Sequence, residues 1–447
     1  MRKKTLEESI LFISTLKWIC LAVCIGVIVG CSTTIFLRTL NFSISTASQY
    51  PYYYVFLPVA LFASGVLVKY LAPDAVGHGT EKIIEAVHRH AGKMKLAVVP
   101  VKLVATVVTI AMGGSAGKEG PAAQIGAALS SGFAQLLRFN DKDRKKLVIC
   151  GISAGFATIF GTPIAGALFG VEVLFVGTML YDVLLPSFIA GIVGYQVSSA
   201  LGITYFYGSI NGIPSFSSFF FLKICFAGIF FGICSLILIE TLRIFDRMSH
   251  SINVWGPIKG LIGGTALVIL TFAFSTRYLG LGIATIQSVL AGNSVPAGAF
   301  LLKILFTAIT LGFGGSGGII TPIFFIGATA GCAFGDVLGY DTQLFSAIGL
   351  VSLLAGAANT PISASIMAIE LFGPEIAPYA AIACMISFLM TGHRSVYPSQ
   401  VLSLTKSSSL IVTEGCEMRD IGSVEFQSRP KSVMGFINKI YCKLQSK

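Results

Sequence analysis

Charge is the scarcest commodity in this sequence. Of 447 residues only 11% are Asp, Glu, Lys or Arg, while 54% are hydrophobic. A soluble domain carries roughly a quarter of its residues charged, so the balance excludes one. The ten cysteines form no CxxC pair, and the five histidines are not at ligand spacing. That excludes a recognisable metal centre and leaves reduced, structural thiols. HExxH is missing and no nucleophile–base or metal constellation stands out, so no enzyme activity or cofactor is expected. No Gly-Lys-Ser/Thr follows any Gly-rich loop, which removes the usual nucleotide cradle. The net charge of +11 points to cytoplasmic loops facing anionic lipid, not to nucleic acid as a partner.

What the chain does have is apolar length. Runs at 18–37, 55–71, 219–239 and 258–274 each approach or reach the ~20 residues that cross hydrocarbon. Other runs are broken by some of the 49 glycines and 16 prolines. Such breaks are tolerable in a bilayer only where protein or a water-filled cavity covers the loosened backbone. The expected fold is an all-α integral membrane protein of tilted and broken helices. The charged start MRKKTLEES reads as retained, not as a cleaved signal. YPYYY at 50–54 reads as an interfacial aromatic belt.

The chain also repeats itself. GGSAGKEGPAAQIGAA at 113–128 returns as GGSGGIITPIFFIGAT at 314–329, with Ile320 standing where the first copy has Glu119. Lys102, Thr106 and Thr109 return as Lys303, Thr307 and Thr310, also 201 positions on. GHGTEKI at 77–83 faces GLGIATI at 280–286, and TPIAGALFGVE at 162–172 faces TPISASIMAIE at 360–370. Three motifs in one order at near-constant offset predict two repeats, about 17–210 and 215–405. Flanking them are a cytoplasmic N-terminal segment, 1–16, and a basic tail, 406–447. Within the tail Val433, Phe436, Ile437, Ile440, Tyr441 and Leu444 read as an amphipathic helix on the membrane surface.

Basic residues give the polarity of the repeats. The stretch 88–95 carries Arg89, Lys93 and Lys95, whereas its counterpart 291–298 is uncharged. After the GKEGP helix come Arg138, Lys142, Arg144, Lys145 and Lys146, whereas 335–343 has two aspartates and no basic residue. Corresponding loops therefore lie on opposite sides, and the repeats are inverted, an arrangement associated with mid-membrane transport sites. Each Gly-rich segment leads into a helix with Pro121 or Pro322 in its first turn, where a missing N–H is harmless. Free first-turn amides and the positive dipole end make each start an anion site. Glu119, at its own helix start, would mimic a bound anion and leave when protonated or displaced; an ionisable residue there is a functional candidate by default. Lys102 and Lys303 either add positive field or snorkel to an interface. Glu172 and Glu370 either line a water or proton path or bond backbone groups.

Taken together, GHG, GKEGP and GGIITP, with the late HRSVYPSQ at 393–400, resemble the CLC family of chloride channels and proton/chloride exchangers. The resemblance covers roughly 15–405 and is closest to the short prokaryotic form without nucleotide-sensing domains. It implies a homodimer with a pore in each subunit, in the cell (inner) membrane with both termini cytoplasmic. It implies that Glu119 gates and passes the proton. It also implies that chloride is bound by backbone at Gly79, Gly120, Ile319 and Ile320, by the Tyr397 hydroxyl, and by His78 where the family usually has serine. His78 either donates to the anion or turns aside. The loop usually reading Ile-Pro after the first motif is Thr80-Glu81, and the internal glutamate common in exchangers is Val173, one position after Glu172. The expected function is passage of chloride or a similar small anion, with exchange against protons favoured over an uncoupled channel, voltage-gated or not. A cation-coupled solute carrier is the distant alternative.

Overall fold

The structure is a computed structural model. It describes residues 2–422 and 424–426, apart from 206, 209, 211, 212, 215 and 216. The amphipathic segment expected around 433–444 lies outside the described residues.

The apolar runs become helices, and the helices fall into two matching sets. The first is α1 Arg2–Ala47, α2 Leu57–Leu71, α3 Thr80–Arg89, α4 Val98–Ala111, α5 Glu119–Leu136, α6 Asp141–Phe160, α7 Pro163–Glu172 and α8 Tyr181–Ala200. The second is α9 Ser218–Ser251, α10 Gly256–Ala273, α11 Ile283–Leu290, α12 Ala299–Gly312, α13 Ile320–Leu338, α14 Thr342–Ala358, α15 Pro361–Phe372 and α16 Ala377–Met390. Among the described residues, six spans are long and apolar enough to cross a membrane, including Glu7–Ala47, Ser218–Ser251 and Ile320–Leu338. Several others, such as α3, α7 and α11, are far too short to cross alone. The chain is thus a multi-pass, all-α membrane protein with broken helices, as expected. Its few strands are two residues each: β1 Phe175–Val176 pairs in parallel with β2 Val401–Leu402, and β3 Leu410–Ile411 pairs with β4 Glu425–Phe426.

Packing follows the repeat. α5 lies along α6 as α13 lies along α14, and α1 along α8 as α9 along α16. The close pairs rest on glycine. A Cβ on Gly126 would stand 2.6 Å from the carbonyl oxygen of Gly151, and one on Gly327 would stand 2.3 Å from that of Gly349. Two backbones approach there at a distance no other side chain permits. Across the repeats, α2 packs on α10 and α7 on α15.

The inversion shows at the join. Gly117 and Gly318 exchange both backbone hydrogen bonds, at 2.7 and 2.6 Å, as an antiparallel pair. Equivalent segments therefore pass one another head to tail. The flanking side chains obey the same two-fold relation. The Ser115 amide donates to the Thr310 hydroxyl at 3.0 Å, and the Ser316 amide donates to the Thr109 hydroxyl at 3.1 Å. Ser115 and Thr307 hydroxyls meet at 2.9 Å, and Thr106 and Ser316 at 3.1 Å. Threonines that read as ordinary helix residues are the cross-repeat fasteners.

Segments far apart in the chain meet the loops of the first repeat. Lys17 on α1 pairs with Asp143 at the start of α6, at 3.0 Å. Glu417, in the segment after the last helix, pairs with Arg89 at the end of α3, at 2.5 Å. Both partners belong to the basic face of the first repeat. Beyond residue 405 the chain goes on packing: Met418 is buried against Val176 of β1 and Leu402 of β2, with Phe388 of α16 beside them.

Candidate functional site

Two helix starts face each other at the centre of the join. Gly113 and Gly314, related by the repeat, have φ of +99° and +100°, a conformation that favours glycine. They turn the chain so that 113–118 and 314–319 run past each other into α5 and α13. With proline at the third helical position of each start, the first two amides of each helix have no intrahelical acceptor. Both positive ends of the dipoles point into the same buried space.

Glu119 lies in that space and is fully buried. Its carboxylate does not sit on its own helix. It crosses to α13, where the Thr321 amide donates to Oε1 at 2.8 Å and the Thr321 hydroxyl donates to Oε2 at 2.5 Å. Glu119 is the first residue of α5, as expected, but the donors its carboxylate takes are those of the other repeat. A carboxylate on a first-turn amide is the ordinary anion arrangement of a helix N-terminus, here supplied by the other repeat. The pocket holding it is lined by glycine. A Cβ on Gly117 would be 2.1 Å from Oε1, and one on Gly318 would be 2.5 Å from it. Thr321 was not anticipated from sequence. Its signal was available, since a hydroxyl stands beside Ile320 in the copy that lacks the charge.

The other expected residues converge on the same place. The loop at His78 and Gly79 presses on Gly120: a Cβ at Gly79 would lie 2.5 Å from the Gly120 carbonyl oxygen, and one at Gly120 would lie 3.1 Å from the Gly318 Cα. Ile319 and Ile320 follow directly at the start of α13. The rings of His78 and Tyr397 stand 5.5 Å apart, tilted by 52°. His78 Nδ1 and the Tyr397 hydroxyl are both buried without a hydrogen-bond partner among the described residues. Unpaired buried polar atoms are costly, and two facing one space mark a site for something that accepts hydrogen bonds. Tyrosine can donate there, and His78 can donate from Nδ1 when that nitrogen carries its proton.

The symmetric lysines neither snorkel nor point at the carboxylate. Lys102 is fully buried, and its ammonium donates to the carbonyls of Ala75 and Gly77 at 3.1 and 2.6 Å. Lys303 does the same to Tyr278 and Gly280, at 3.0 and 2.8 Å. Each holds the loop leading into α3 or α11. Removing Lys102 as Lys102→Met leaves two carbonyls without a donor, at about 1–3 kcal/mol each, partly offset by no longer burying an ammonium. We expect a lowered thermal midpoint and a disturbed His78 loop; an unchanged midpoint would contradict this role.

Glu172 and Glu370 are likewise exchanged between repeats. Glu172 accepts from the Ile362 and Ser363 amides at 3.0 and 2.8 Å, and Glu370 from the Ile164 and Ala165 amides at 2.9 and 2.8 Å. Each carboxylate caps the opposite short helix, α15 or α7. Of the two readings left open by the sequence, bonding to backbone is the geometry found. Val173, next in the chain, is fully buried, and its carbonyl accepts from the Gln400 side chain at 2.8 Å.

Comparison with known proteins bears on the fold and the family. The family described as "Voltage gated chloride channel" matches residues 59–392. A "Chloride/fluoride channel protein" of Pseudomonas syringae pv. tomato is 36% identical over 423 residues, 93% of each chain. A "Voltage-gated ClC-type chloride channel ClcB" of Escherichia coli is 31% identical over 325 residues, 68% of this chain and 76% of the other. Among solved structures, a CLC-type fluoride/proton antiporter superposes with a TM-score of 0.82 at 28% identity, covering 86% of this chain and 98% of that one. A slow cyanobacterial Cl-/H+ antiporter, 19% identical with a TM-score of 0.74, covers 84% and 94% and shares the fold.

Proposed function

Because the chain belongs to the voltage-gated chloride channel family, the CLC proteins, we propose that it moves a small halide, fluoride or chloride, across the cell membrane in exchange for protons. The observation that carries this reading is the Glu119 carboxylate seated on the amide and hydroxyl of Thr321. It stands where an anion would stand, so halide and carboxylate compete for one set of donors. Protonation removes the charge that holds the side chain there. The neutral side chain then leaves and the halide takes its place, which links the two ions. Backbone at Gly79, Gly120, Ile319 and Ile320 completes the path, with Tyr397 and His78 on its other wall. Glu172 is a cap in this reading, not a proton carrier, because both its oxygens already accept amides.

The relatives described as handling fluoride support the halide class, and the likeness to an antiporter supports exchange. An uncoupled channel is the second reading. It is favoured by Val173, an apolar, fully buried residue beside Glu172. Reversal potentials in reconstituted vesicles separate the two. An exchanger's reversal moves with an imposed pH gradient, whereas a channel's stays at the halide equilibrium potential.

We further infer a homodimer with a pore in each subunit, in the inner membrane. The pairing of Lys17 and Glu417 with the basic face of the first repeat supports placing both termini in the cytoplasm.

A further inference from the structure

Glu81 lies in the first turn of α3, three residues after His78. Its side chain is only 16% exposed, and it reaches not along its own helix but to the far end of the chain. Oε1 accepts from the Ser399 amide at 3.0 Å and from the Ser399 hydroxyl at 2.5 Å; Oε2 lies 3.2 Å from the same amide. Ser399 is two residues after Tyr397. The Arg419 guanidinium stands 3.8 Å from the Glu81 carboxylate and donates to the Ser399 hydroxyl as well. Arg419 pairs in turn with Glu417 at 2.7 Å, and Glu417 with Arg89 in the last turn of α3 at 2.5 Å. Four charges of alternating sign thus run along α3 and the returning segment. Two backbone bonds stitch that segment to the Tyr397 loop: Met418 N–H to Gln400 at 2.8 Å and Arg419 N–H to Pro398 at 2.9 Å.

We propose that Glu81 is a positioning residue for the anion path: with Arg419 it clasps 398–419 onto α3 and so sets the separation between His78 and the Tyr397 hydroxyl. The remaining anchors of the Tyr397 loop lead elsewhere. Gln400 donates to the carbonyls of Val173 and Ala358, both at 2.8 Å, which ties the loop to the ends of α7 and α14. Ser395 accepts from the Tyr397 amide at 2.9 Å within the loop itself. Beside the ring contact of His78 with Tyr397 and the apolar packing of Ile83 and Ile84, the polar link between the two walls is carried by the charges of this clasp. A nearly buried carboxylate that loses its donors, or a guanidinium that loses its carboxylate, does not keep its place. Lys82 and Glu85 also face this part of α3, but they pair with each other at 2.8 Å.

The proposal rests on the anion path proposed above, and the experiment separates their failures. Fluoride and chloride release is measured from vesicles holding the full-length protein. If the native protein releases neither halide, it is the path that fails. Given native flux, Glu81→Ala and Arg419→Ala are each expected to change the fluoride-to-chloride rate ratio by about tenfold, the scale of one charge-assisted hydrogen bond. Arg419→Lys should restore most of the native ratio. On a Tyr397→Ala background, Glu81→Ala should change the ratio no further, because the wall it positions is gone. Should Glu81→Ala not fold, Glu81→Gln keeps an acceptor for Ser399, loses the charge toward Arg419, and is expected to shift the ratio the same way. A ratio within twofold of native in both Glu81 variants overturns the proposal. So does an equal shift with and without the Tyr397 side chain.

Discussion

Glu119→Gln protein in vesicles is expected to keep passing halide while carrying no protons against a halide gradient. Two features of the site lead to this result. The side chain is fully buried and is held by the Thr321 amide and hydroxyl across the repeat boundary. In the proposed exchange its negative charge is what competes with the halide, and its titration is what carries the proton. Glutamine is nearly isosteric, so the glycine-lined pocket can still receive it, but it neither ionises nor matches the charge-assisted bonds of a carboxylate. Halide flux should therefore stay at the native rate or rise, and proton flux should fall to that of protein-free vesicles. Recording both fluxes together checks the pair. Halide-driven proton pumping by this variant would remove Glu119 from the mechanism.

The second large effect is expected at Thr321. Thr321→Val keeps the amide that donates to Oε1 and deletes the hydroxyl that donates to Oε2. A hydrogen bond to a charged group contributes about 1.5–3 kcal/mol, so the seated position of the carboxylate should weaken by tenfold or more. A passing halide meets Thr321 only in transit, whereas the carboxylate rests there, so the resting state loses more. Halide flux at fixed pH is expected to rise by about tenfold, and Thr321→Ser, which keeps the hydroxyl, should stay near the native rate. Equal fluxes in the valine and serine variants would mean that the hydroxyl does not hold Glu119.

Much of this was legible in the chain because the fold writes its signals twice. The matched Gly-rich starts and the near-constant offset located both repeats. The one-sided Lys and Arg in the loops gave their opposite orientation, which the antiparallel Gly117–Gly318 pair bears out. What stayed hidden was reciprocity. Glu119, Glu172, Glu370, Thr109 and Thr310 each bond to the repeat they do not belong to. Sequence offsets reveal equivalence but not exchange, so they place Glu119 at its helix start without naming Thr321 and do not assign partners to the carboxylates at 172 and 370. Lys102 and Lys303 were open for a similar reason. A buried ammonium that holds carbonyls some 25 residues upstream looks, in one dimension, like any lysine in an apolar run. The order of the segment after Tyr397 is not legible in the sequence because its partners, Val176, Glu81 and Arg89, are each more than two hundred positions away.

The central claim is that halide and the Glu119 carboxylate occupy one place at the start of α13. Bromide, which can be located by its anomalous scattering, tests it most directly in crystals of the Glu119→Ala protein. The account predicts bromide within hydrogen-bonding reach of the Thr321 amide and hydroxyl in that variant, and none at that position in native crystals where the carboxylate is seated. Bromide bound elsewhere in the variant, with the Thr321 donors empty or filled by water alone, would contradict it.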